Sequence, residues 1–491
     1  MNQSPKLERL TELPAPEISP TARRIVPWLC AAALFMELLD ATIVNTAVPT
    51  MAVALHAAPL SLKTVLTSYT LSLAVFIPTS GWMADRFGTH RVFFSAVAVF
   101  LVGSLACGLA FNVEMLVASR ILQGMGGAMM TPVGRLVLVR TFPREEFIRA
   151  MNYVVIPSLI GPLVGPFLGG VIVHVIHWRA IFFINLPIGL AGLWLIRRHM
   201  PDFRSAGVPP LDWFGFALFG SGIALLSHVL EVFSEHSWNV GPLLAMIAAS
   251  AALLLTYGRH AQRVPHPVLQ LRIFRTRTFR ASVVGGFITR IGIGGMPFLL
   301  PLLYQLGLGY TPWQAGLLMV PQATAAILMK VLSAWVLRQF GFRRVLVANT
   351  VLLGGTIATF ALVGVGTPVL AILTLSFLQG FFSSLQFTSM NSLVFADVSD
   401  TDASKASSIF STAQQLSLSF GVAISSLVVA FFLFLLHGSS ETHLMRPLHH
   451  SFVTLGILTA LSAWYFAALR PEDGANVSHH RGREEPDAIS A

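Results

Sequence analysis

Long runs of apolar residues recur along this chain and constrain its fold more than any other feature. Trp213 to Leu230 and Leu346 to Val363 are two examples. A helix needs about 20 such residues to cross roughly 30 Å of hydrocarbon. Of the 491 residues, 54% are hydrophobic and 11% are charged, whereas about 25% are charged in an ordinary soluble domain. The chain is therefore predicted to be an all-α polytopic membrane protein.

A window of about 19 residues predicts fourteen transmembrane spans. They begin near Val26, Leu62, Val92, Met115, Ile148, Ile181, Trp213, Leu243, Ala281, Trp313, Val345, Pro368, Ala406 and Phe452. The N-terminal stretch lacks the apolar core of a signal peptide, so the first span is expected to remain as an anchor. The predicted organisation is a tail at 1–25, a six-helix bundle at 26–198, an additional helix pair at 211–259, a second six-helix bundle at 281–469 and a tail at 470–491.

The positions of Lys and Arg predict the orientation, because cytoplasmic loops hold the excess of these residues. The N-terminal tail and the loops after even-numbered spans are rich in Arg, and the loops after odd-numbered spans hold few basic residues. Both termini are therefore expected in the cytoplasm. The net charge of +10 is spread over short loops, so nucleic acid is not an expected partner.

The chain also resembles itself. Arg120 to Gly124 recurs as Ser376 to Gly380, an offset of 256, and the loop Asp85 to Arg91 recurs as Arg338 to Arg344, an offset of 253. Two halves of six helices joined by an additional helix pair account for this spacing. Repeated halves are typical of transporters, in which one half rocks against the other. Chance similarity of short apolar motifs is the alternative.

Two acids, Glu37 and Asp40, lie near the middle of the first predicted span. A charge at that depth costs about 2.5 to 3.5 kcal/mol on insertion scales, so each acid needs a partner, water or a proton. The i, i+3 spacing places both on one helix face, where poor hydration favours proton uptake. We predict that Asp40 and Glu37 load and unload protons. The alternative is a buried acid held by hydrogen bonds.

Arg120, early in the fourth predicted span, is the intramembrane cation best placed to neutralise or gate these acids. A nearby cation favours the ionised carboxylate, and its departure favours the protonated form. We therefore predict that Arg120 couples proton binding to a change of shape. The alternative is that its long side chain reaches the outer membrane interface.

A glycine and proline motif lies in the fifth predicted span. Small residues at every fourth position allow a neighbouring helix to approach closely, while proline removes backbone donors and bends the helix. The segment is therefore predicted to be a pivot between the two halves. Its residues are Gly161, Pro162, Gly165, Pro166, Gly169 and Gly170.

A second motif fills the very short cytoplasmic turn between the second and third predicted spans. Gly88 permits the tight turn, and Asp85 is able to pair with a basic residue or cap a helix end in one conformation only. We predict a conformational loop, with an ordinary solvated loop as the alternative. Its residues are Gly81, Asp85, Arg86, Gly88 and Arg91.

Arg290 and Lys330 lie within apolar runs of the ninth and tenth predicted spans. Either is able to contact an anionic substrate or an acid, although Lys330 is near enough to the cytoplasmic end to reach it. Polar side chains on helix faces predict a substrate cavity, but bonding between neighbouring helices is the alternative. The cavity candidates are Asn45, Gln123, Arg290, Gln305, Gln386 and Asn391.

Motifs for other chemistry are missing from the sequence. None of the four lysines follows a glycine, as the phosphate-binding loop of an ATPase requires. There is no metal-ligand spacing, and the loops are too short for a soluble-facing hydrolase. We expect neither an enzyme nor a cofactor, with the proton gradient as the energy source.

With these motifs the chain resembles the major facilitator superfamily, and within it the EmrB/QacA-like branch of fourteen-helix drug:proton antiporters. The resemblance covers nearly the whole length, and four motifs stand in the expected order. These are Leu39 to Pro49 in the first helix, Gly81 to Arg91 in the loop, Arg120 to Gly127 in the fourth helix and Gly161 to Gly170 in the fifth. Trp178 to Gly189 is also typical of this branch, and Arg275 to Phe279 and Met390 to Leu393 further resemble MdtD-like multidrug exporters.

The resemblance implies a fold of two six-helix bundles plus two additional helices, in a bacterial cytoplasmic (inner) membrane. It implies export of amphipathic or hydrophobic compounds in exchange for protons, with Asp40 and Arg120 at matching functional positions. Small-molecule substrates, protons and the lipid bilayer are the implied partners, and the sequence does not indicate outer-membrane efflux partners. Glu37, in place of a neutral polar residue, and Thr89 with His90, in place of a basic pair, depart from the family pattern.

Two other functions stay open from the sequence. One is a transporter dedicated to a single metabolite, such as an organic acid, a sugar or a siderophore; Arg290 favours an anion and Glu37 a cation. The other is a membrane sensor or assembly partner that has lost transport. Short loops without a signalling domain argue against a sensor or assembly partner, as do the intact Asp40 and Arg120.

Overall fold

The computed structural model describes residues 19–205, 207–233, 240–399, 402–436 and 444–478. Within these ranges all regular structure is helical and there is no strand. This confirms the predicted all-α fold class. Most of the two expected tails, 1–18 and 479–491, lies outside the described residues.

The first compact unit comprises the described residues up to Leu269 together with Tyr310–Leu317. Its apolar core gathers around Tyr69, Phe93, Phe100 and Val133. The helices of this unit are α1 (Pro20–Ile43), α2 (Val48–Ala54), α3 (Lys63–Phe87), α4 (Thr89–Gly108), α5 (Val113–Thr141), α6 (Arg144–Val175), α7 (Ala180–Phe183), α8 (Asn185–His199), α9 (Trp213–Phe233) and α10 (Val240–Ala261).

The second unit comprises Gln270–Gly309 and the described residues from Leu318 onward. π-helical turns at Ala281–Gly285 and Leu302–Gly307 flank the second of its helices. The helices that follow Gln270 in the chain are α11 (Arg277–Arg280), α12 (Gly286–Pro301), α13 (Pro312–Thr359), α14 (Val369–Leu393), α15 (Ala403–Leu435), α16 (Met445–Leu461), α17 (Ala463–Ala467) and α18 (Ala475–Ser478). The first residues of α13, 312–317, belong to the first unit. Gly341, at φ 73° and ψ 161°, divides α13 into the stretches 312–340 and 342–359.

Helix lengths and composition fit a polytopic membrane protein. In the described part of the chain, ten helical segments are long and apolar enough to cross a membrane. Each of the fourteen predicted span starts lies within a helix or next to its first residue. One of the ten segments, Pro312–Leu362, includes the kink at Gly341, so the exact number of fourteen spans stays a prediction.

Equivalent helix packing recurs inside each unit. α1 packs along α6 in the first unit, and α12 packs along α15 in the second. A methyl group on Gly165 of α6 would lie 2.2 Å from the Thr42 hydroxyl of α1, and one on Gly421 of α15 would lie 2.6 Å from the Ile291 carbonyl of α12. Gly165 and Gly421 are 256 residues apart, which is one of the two repeat offsets. The internal repeat therefore extends from short motifs to helix packing.

Candidate functional site

The two acids of α1 are both withdrawn from solvent. α1 begins where the Ser19 hydroxyl accepts a hydrogen bond from the backbone N–H of Ala22 (3.1 Å), which satisfies one of the free donors of the first turn. The helix then carries Glu37 and Asp40 one turn apart, with exposed fractions of 8% and 0%. Each carboxyl group therefore requires a partner from the protein or a proton.

Asp40 has three such partners from two other helices. Arg120 Nη1 donates to Asp40 Oδ2 at 2.5 Å, while Gln123 Nε2 and Asn185 Nδ2 donate to Asp40 Oδ1 at 2.8 and 3.1 Å. Arg120 and Gln123 come from successive turns of α5, and Asn185 is the first residue of α8. We call these four residues the Asp40 cluster, and its members are at most 1% exposed.

The position of Arg120 depends on the close approach of α3 to α5. A methyl group on Gly124 would lie 2.7 Å from the Tyr69 carbonyl, so a larger residue would separate the two helices. At this distance the Arg120 guanidinium carbon lies 4.1 Å from the centroid of the Tyr69 ring, and Arg120 Nε donates to the Val65 carbonyl at 3.3 Å. The side chain therefore lies inside the helix bundle, and the alternative that it reaches the membrane interface is wrong.

Further hydrogen bonds fix the amide side chains. Arg120 Nη1 also donates to Gln123 Oε1 at 2.8 Å, which orients the Gln123 amide toward Asp40. Asn185 Nδ2 also donates to the Ser104 hydroxyl at 3.1 Å, and Ser104 donates to the Phe182 carbonyl at 2.8 Å. The cluster is therefore fixed by α4 and α7 as well as by the helices that supply it.

The donors of the Asp40 cluster match a carboxylate. They occupy both oxygen atoms of Asp40, and the charge of Arg120 balances that of the carboxylate. A carboxylate accepts hydrogen bonds and donates none. The Asp40 side chain therefore joins α1 to α5 and α8 through contacts that use it as an acceptor.

Glu37 has a separate partner although it lies one turn from Asp40. Its carboxyl group accepts a hydrogen bond from the Thr131 hydroxyl on α5. The two acids thus share a helix face, as predicted, but they contact different turns of α5. The contact of Thr131 with Glu37 is not apparent from the sequence.

The residues of the predicted conformational loop differ in their surroundings. Asp85 accepts hydrogen bonds from Arg140 (2.8 Å) and from the Ser205 hydroxyl (3.0 Å). Gly88 has φ +96°, a left-handed conformation that favours glycine. Gly81 faces open space, and Arg86 and Arg91 are exposed.

The connection after α8 lies against this loop, a contact that sequence analysis missed. The Thr89 hydroxyl accepts from the Phe203 N–H (2.9 Å) and donates to the Pro201 carbonyl (3.2 Å). Asp202 Oδ1 accepts from the His90 N–H at 3.1 Å. The departure of Thr89 from the family pattern was the available signal, because a basic side chain lacks the acceptor that Phe203 requires.

The predicted pivot on α6 lies along α1. Methyl groups on Gly161, Gly165 and Gly169 would lie 3.0, 2.2 and 2.3 Å from atoms of Leu39, Thr42 and Ile43. Pro162 and Pro166 both lie inside α6, and the Pro166 carbonyl accepts from the Thr46 hydroxyl at 3.2 Å. A methyl group on Gly170 would lie 2.3 Å from the Pro312 carbonyl oxygen.

The polar residues proposed for a substrate cavity have different surroundings in the structure. Gln123 belongs to the Asp40 cluster. Asn45 is buried in a 3₁₀ turn directly after α1. Gln386 is bonded to the neighbouring helix, since it accepts from Asn349 (2.7 Å) and donates to Thr350 (2.8 Å).

The remaining cavity candidates lie in the second unit. Gln305 is half-buried in the π-helical turn after α12, and Asn391 is exposed near the end of α14. Arg290 is fully buried in α12. No three His, Cys, Asp or Glu side chains of the described ranges converge on a point where they could hold a metal ion.

Known proteins are similar to this chain in sequence. A model of the Major Facilitator Superfamily matches residues 30–422 and 282–490. Relatives named "Putative multidrug resistance protein MdtD" include one from Serratia proteamaculans (strain 568), 38% identical over 449 residues, 91% of this chain and 94% of the relative. Another, from Escherichia coli O45:K1 (strain S88 / ExPEC), is 37% identical over 466 residues, 94% of this chain and 98% of the relative.

A solved structure supports the same fold at low sequence identity. The in meso crystal structure of the POT family transporter PepTSo matches with a TM-score of 0.67 and 14% identity, covering 91% of this chain and 99% of the other. Helical fold and sequence matches together define a multi-span membrane transporter and not an enzyme. The chain belongs to the Major Facilitator Superfamily, and the predicted resemblance to MdtD-like transporters is confirmed.

Proposed function

We propose that this protein exports small amphipathic or hydrophobic compounds in exchange for protons, by alternating access. The observation that carries the proposal is the buried ion pair between Asp40 and Arg120 inside a transporter of this superfamily. The name of its relatives, multidrug resistance protein, supports the substrate class.

Asp40 is the proton carrier in this proposal. When ionised, it ties α1 to α5 through Arg120 and Gln123 and to α8 through Asn185. Protonation weakens these ties and leaves α1 free to change its position against α6, where the glycine ridge offers few side chains to obstruct it. Release of the proton on the other side of the membrane restores the pair with Arg120.

The membrane location belongs to the same proposal. The excess of Arg in loops after even-numbered spans supports cytoplasmic termini, and the bacterial sources of the relatives support the cytoplasmic membrane. In that membrane the proton gradient runs inward, which is the direction that drives export by exchange.

Proton flux in liposomes tests the proposal. Purified protein is reconstituted with an internal pH dye, a pH gradient is imposed, and lipophilic cations, neutral drugs and organic acids are added in turn. We expect substrate-triggered proton flux that is lost in Asp40→Asn, with Glu37→Gln measured alongside. Asp402→Asn is the matched control, because the Asp402 side chain is 43% exposed and pairs with Lys405 (3.0 Å).

A second measurement separates lost coupling from lost folding. Substrate counterflow requires no net proton movement, so Asp40→Asn should retain it. Proton flux that persists in Asp40→Asn would exclude Asp40 as the carrier. Loss of both activities in a monodisperse Asp40→Asn protein would show that Asp40 is needed for binding rather than for coupling.

One observation favours the second candidate function, a transporter dedicated to a single organic anion. Arg290 is a buried cation of the second unit without a protein counter-charge among the described residues. Counterflow against chemically diverse solutes separates the two candidates, because a dedicated transporter would exchange only one compound class.

A further inference from the structure

Arg290 is buried in α12 and lacks a hydrogen-bond partner among the residues that the structure describes. Its exposed fraction is 0%, and none of its three side-chain nitrogens has an acceptor among the described residues. A guanidinium group carries five N–H donors. Burial without acceptors is therefore costly for this side chain, and the sequence alone did not reveal it.

Aromatic rings surround the Arg290 guanidinium but do not satisfy its donors. Its central carbon lies 4.8 Å from the ring centroid of Phe410 on α15 and 5.3 Å from that of Phe387 on α14. Such rings attract a cation through their π-faces, yet they carry no carboxylate or carbonyl oxygen. Gly286, one turn earlier on α12, leaves room for the group, since a methyl there would lie 2.9 Å from Arg290 Nη1.

Arg120 shows how the same chain satisfies a buried arginine for structural purposes. It is equally buried and lies over a Tyr69 ring, but it also has a carboxylate, an amide oxygen and a carbonyl as acceptors. Arg290 has the aromatic contacts but, within the described ranges, no such acceptor. Since a buried cation without a counter-charge destabilises the protein, the missing acceptor of Arg290 is expected to come from a ligand.

In the internal repeat, the position equivalent to Arg290 in the first unit also holds an ionisable residue. Glu37 and Arg290 are 253 residues apart, the offset that also relates Gly88 to Gly341. Both lie on the first long helix of their own unit. The repeat therefore carries an acid in one half and a cation in the other at corresponding positions. In the described part of the chain the acid has a partner, Thr131, and the cation has no acceptor.

We propose that Arg290 binds the anionic group of the transported compound, so that substrates include amphipathic organic anions. A carboxylate accepts two parallel hydrogen bonds from a guanidinium group, and the apolar body of the same molecule packs on Phe387 and Phe410. This inference rests on the proposed export function and specifies one substrate class for it.

Equilibrium binding to purified protein in lipid nanodiscs tests the inference without transport. The probes are naphthoate and naphthamide, which share a ring system and differ in charge. We expect naphthoate to bind more tightly than naphthamide, and Arg290→Gln to weaken naphthoate binding about 10- to 100-fold, as expected for the loss of hydrogen bonds to a charged group. Arg290→Lys keeps the charge but loses the planar guanidinium donors. Its affinity for naphthoate should lie between those of the wild type and Arg290→Gln.

Lys405→Gln is the matched control, because Lys405 is an exposed cation of the second unit that pairs with Asp402 (3.0 Å) and its loss should leave naphthoate binding unchanged. Absence of naphthoate binding to the wild-type protein would overturn the inference, as would equal binding of naphthoate and naphthamide. Equal naphthoate affinity of wild type and a monodisperse Arg290→Gln would do so too. Should Arg290→Gln not fold, the Arg290→Lys comparison decides.

The inference and the proposed function fail separately. Proton-coupled export of neutral or cationic drugs that is unaffected by Arg290→Gln, without naphthoate binding, removes the inference alone. Naphthoate binding that depends on Arg290, without any proton flux that depends on Asp40, removes the proposed antiport alone.

Discussion

Asp40 and Arg120 are a buried pair in which each residue compensates the charge of the other. We predict that Arg120→Gln lowers the free energy of unfolding by about 3 to 5 kcal/mol, because it leaves the Asp40 carboxylate buried without its cation. Thermal unfolding of the purified variant, followed by intrinsic fluorescence, measures the loss.

The double variant Arg120→Gln/Asp40→Asn is the control for that prediction. It replaces the charged pair with two neutral amides, which remain able to bond each other and Gln123 and Asn185. We expect it to be more stable than Arg120→Gln alone. A double variant as unstable as the single one would show that Arg120 acts through packing on Tyr69 rather than through its charge.

Removal of the Arg290 charge should stabilise the protein, whereas removal of the Arg120 charge should destabilise it. Because the Arg290 guanidinium has no acceptor in the part of the chain that the structure describes, we predict that Arg290→Met raises the free energy of unfolding by about 1 to 4 kcal/mol, the range seen when buried ion pairs give way to apolar residues. Thermal unfolding without ligand measures the gain. Lys330→Met, at an exposed position, should change stability little; a destabilised Arg290→Met would indicate that Arg290 is bonded within the protein.

The sequence predicted the charged residues of the site better than the neutral ones. Asp40 and Arg120 are recognisable because a charge within an apolar run is costly and rare. Asn185 and Thr131 are polar residues of a kind that is common in membrane helices, and their roles depend on which turns of α5 and α8 face α1. Gln386 shows the converse, since a polar residue on a helix face proved to bond a neighbouring helix.

The contact between α1 and α6 depends on the glycine ridge of α6. Gly169→Ala would place a methyl group 2.3 Å from the Ile43 carbonyl, so one helix must move. We predict that Gly169→Ala lowers the free energy of unfolding by about 1 to 3 kcal/mol, as for other overpacked cores. We also predict slower transport by this variant. Gly161→Ala, whose methyl would lie 3.0 Å from Leu39 N, should be milder.

Gly192→Ala on α8 is the control for the ridge, because a methyl group there meets no atom within 4 Å. Thermal unfolding and counterflow are measured for all three variants. Equal effects of Gly169→Ala and Gly192→Ala would mean that helix propensity, rather than close packing of α1 on α6, governs the ridge.

The loop between α3 and α4 is held by the connection that follows α8. We predict that Thr89→Val destabilises the protein by about 1 to 3 kcal/mol, because the buried Phe203 N–H loses its acceptor. Thr89→Ser keeps the hydroxyl and should retain most of the stability. Limited proteolysis near residue 205 reports the contact directly, and equal cleavage of both variants would contradict the role of the hydroxyl.

Helix positions followed from the sequence, whereas the irregular turns within helices did not. Apolar runs locate a helix because its length must match the bilayer, and each of the fourteen predicted starts lies within a helix or next to its first residue. The π-helical turns around α12 carry no comparable signal. Gly341 was visible only as the counterpart of Gly88 in the repeat, and its positive φ explains why glycine recurs there.

Orientation in the membrane is a property of the whole molecule, and the arginine distribution makes it testable. The stretch from Arg259 to Arg280 contains six arginines including both ends, whereas the stretches 55–61 and 363–368 contain no Lys or Arg. By the positive-inside tendency the first stretch faces the cytoplasm and the other two face outward. Both native cysteines are buried, so a thiol reagent should report introduced cysteines over a low background.

We predict that an impermeant maleimide labels Ala58→Cys and Val365→Cys on intact cells, and labels Gln262→Cys only after permeabilisation. All three positions are exposed in the structure. Ala58 and Val365 are separated by ten of the fourteen predicted spans, so their appearance on one side also tests whether that number is even. Labelling of Ala58→Cys and Val365→Cys from opposite sides would show that a predicted span between them does not cross the membrane. Labelling of Gln262→Cys on intact cells would reverse the orientation, and with it the direction of export that the proton gradient drives.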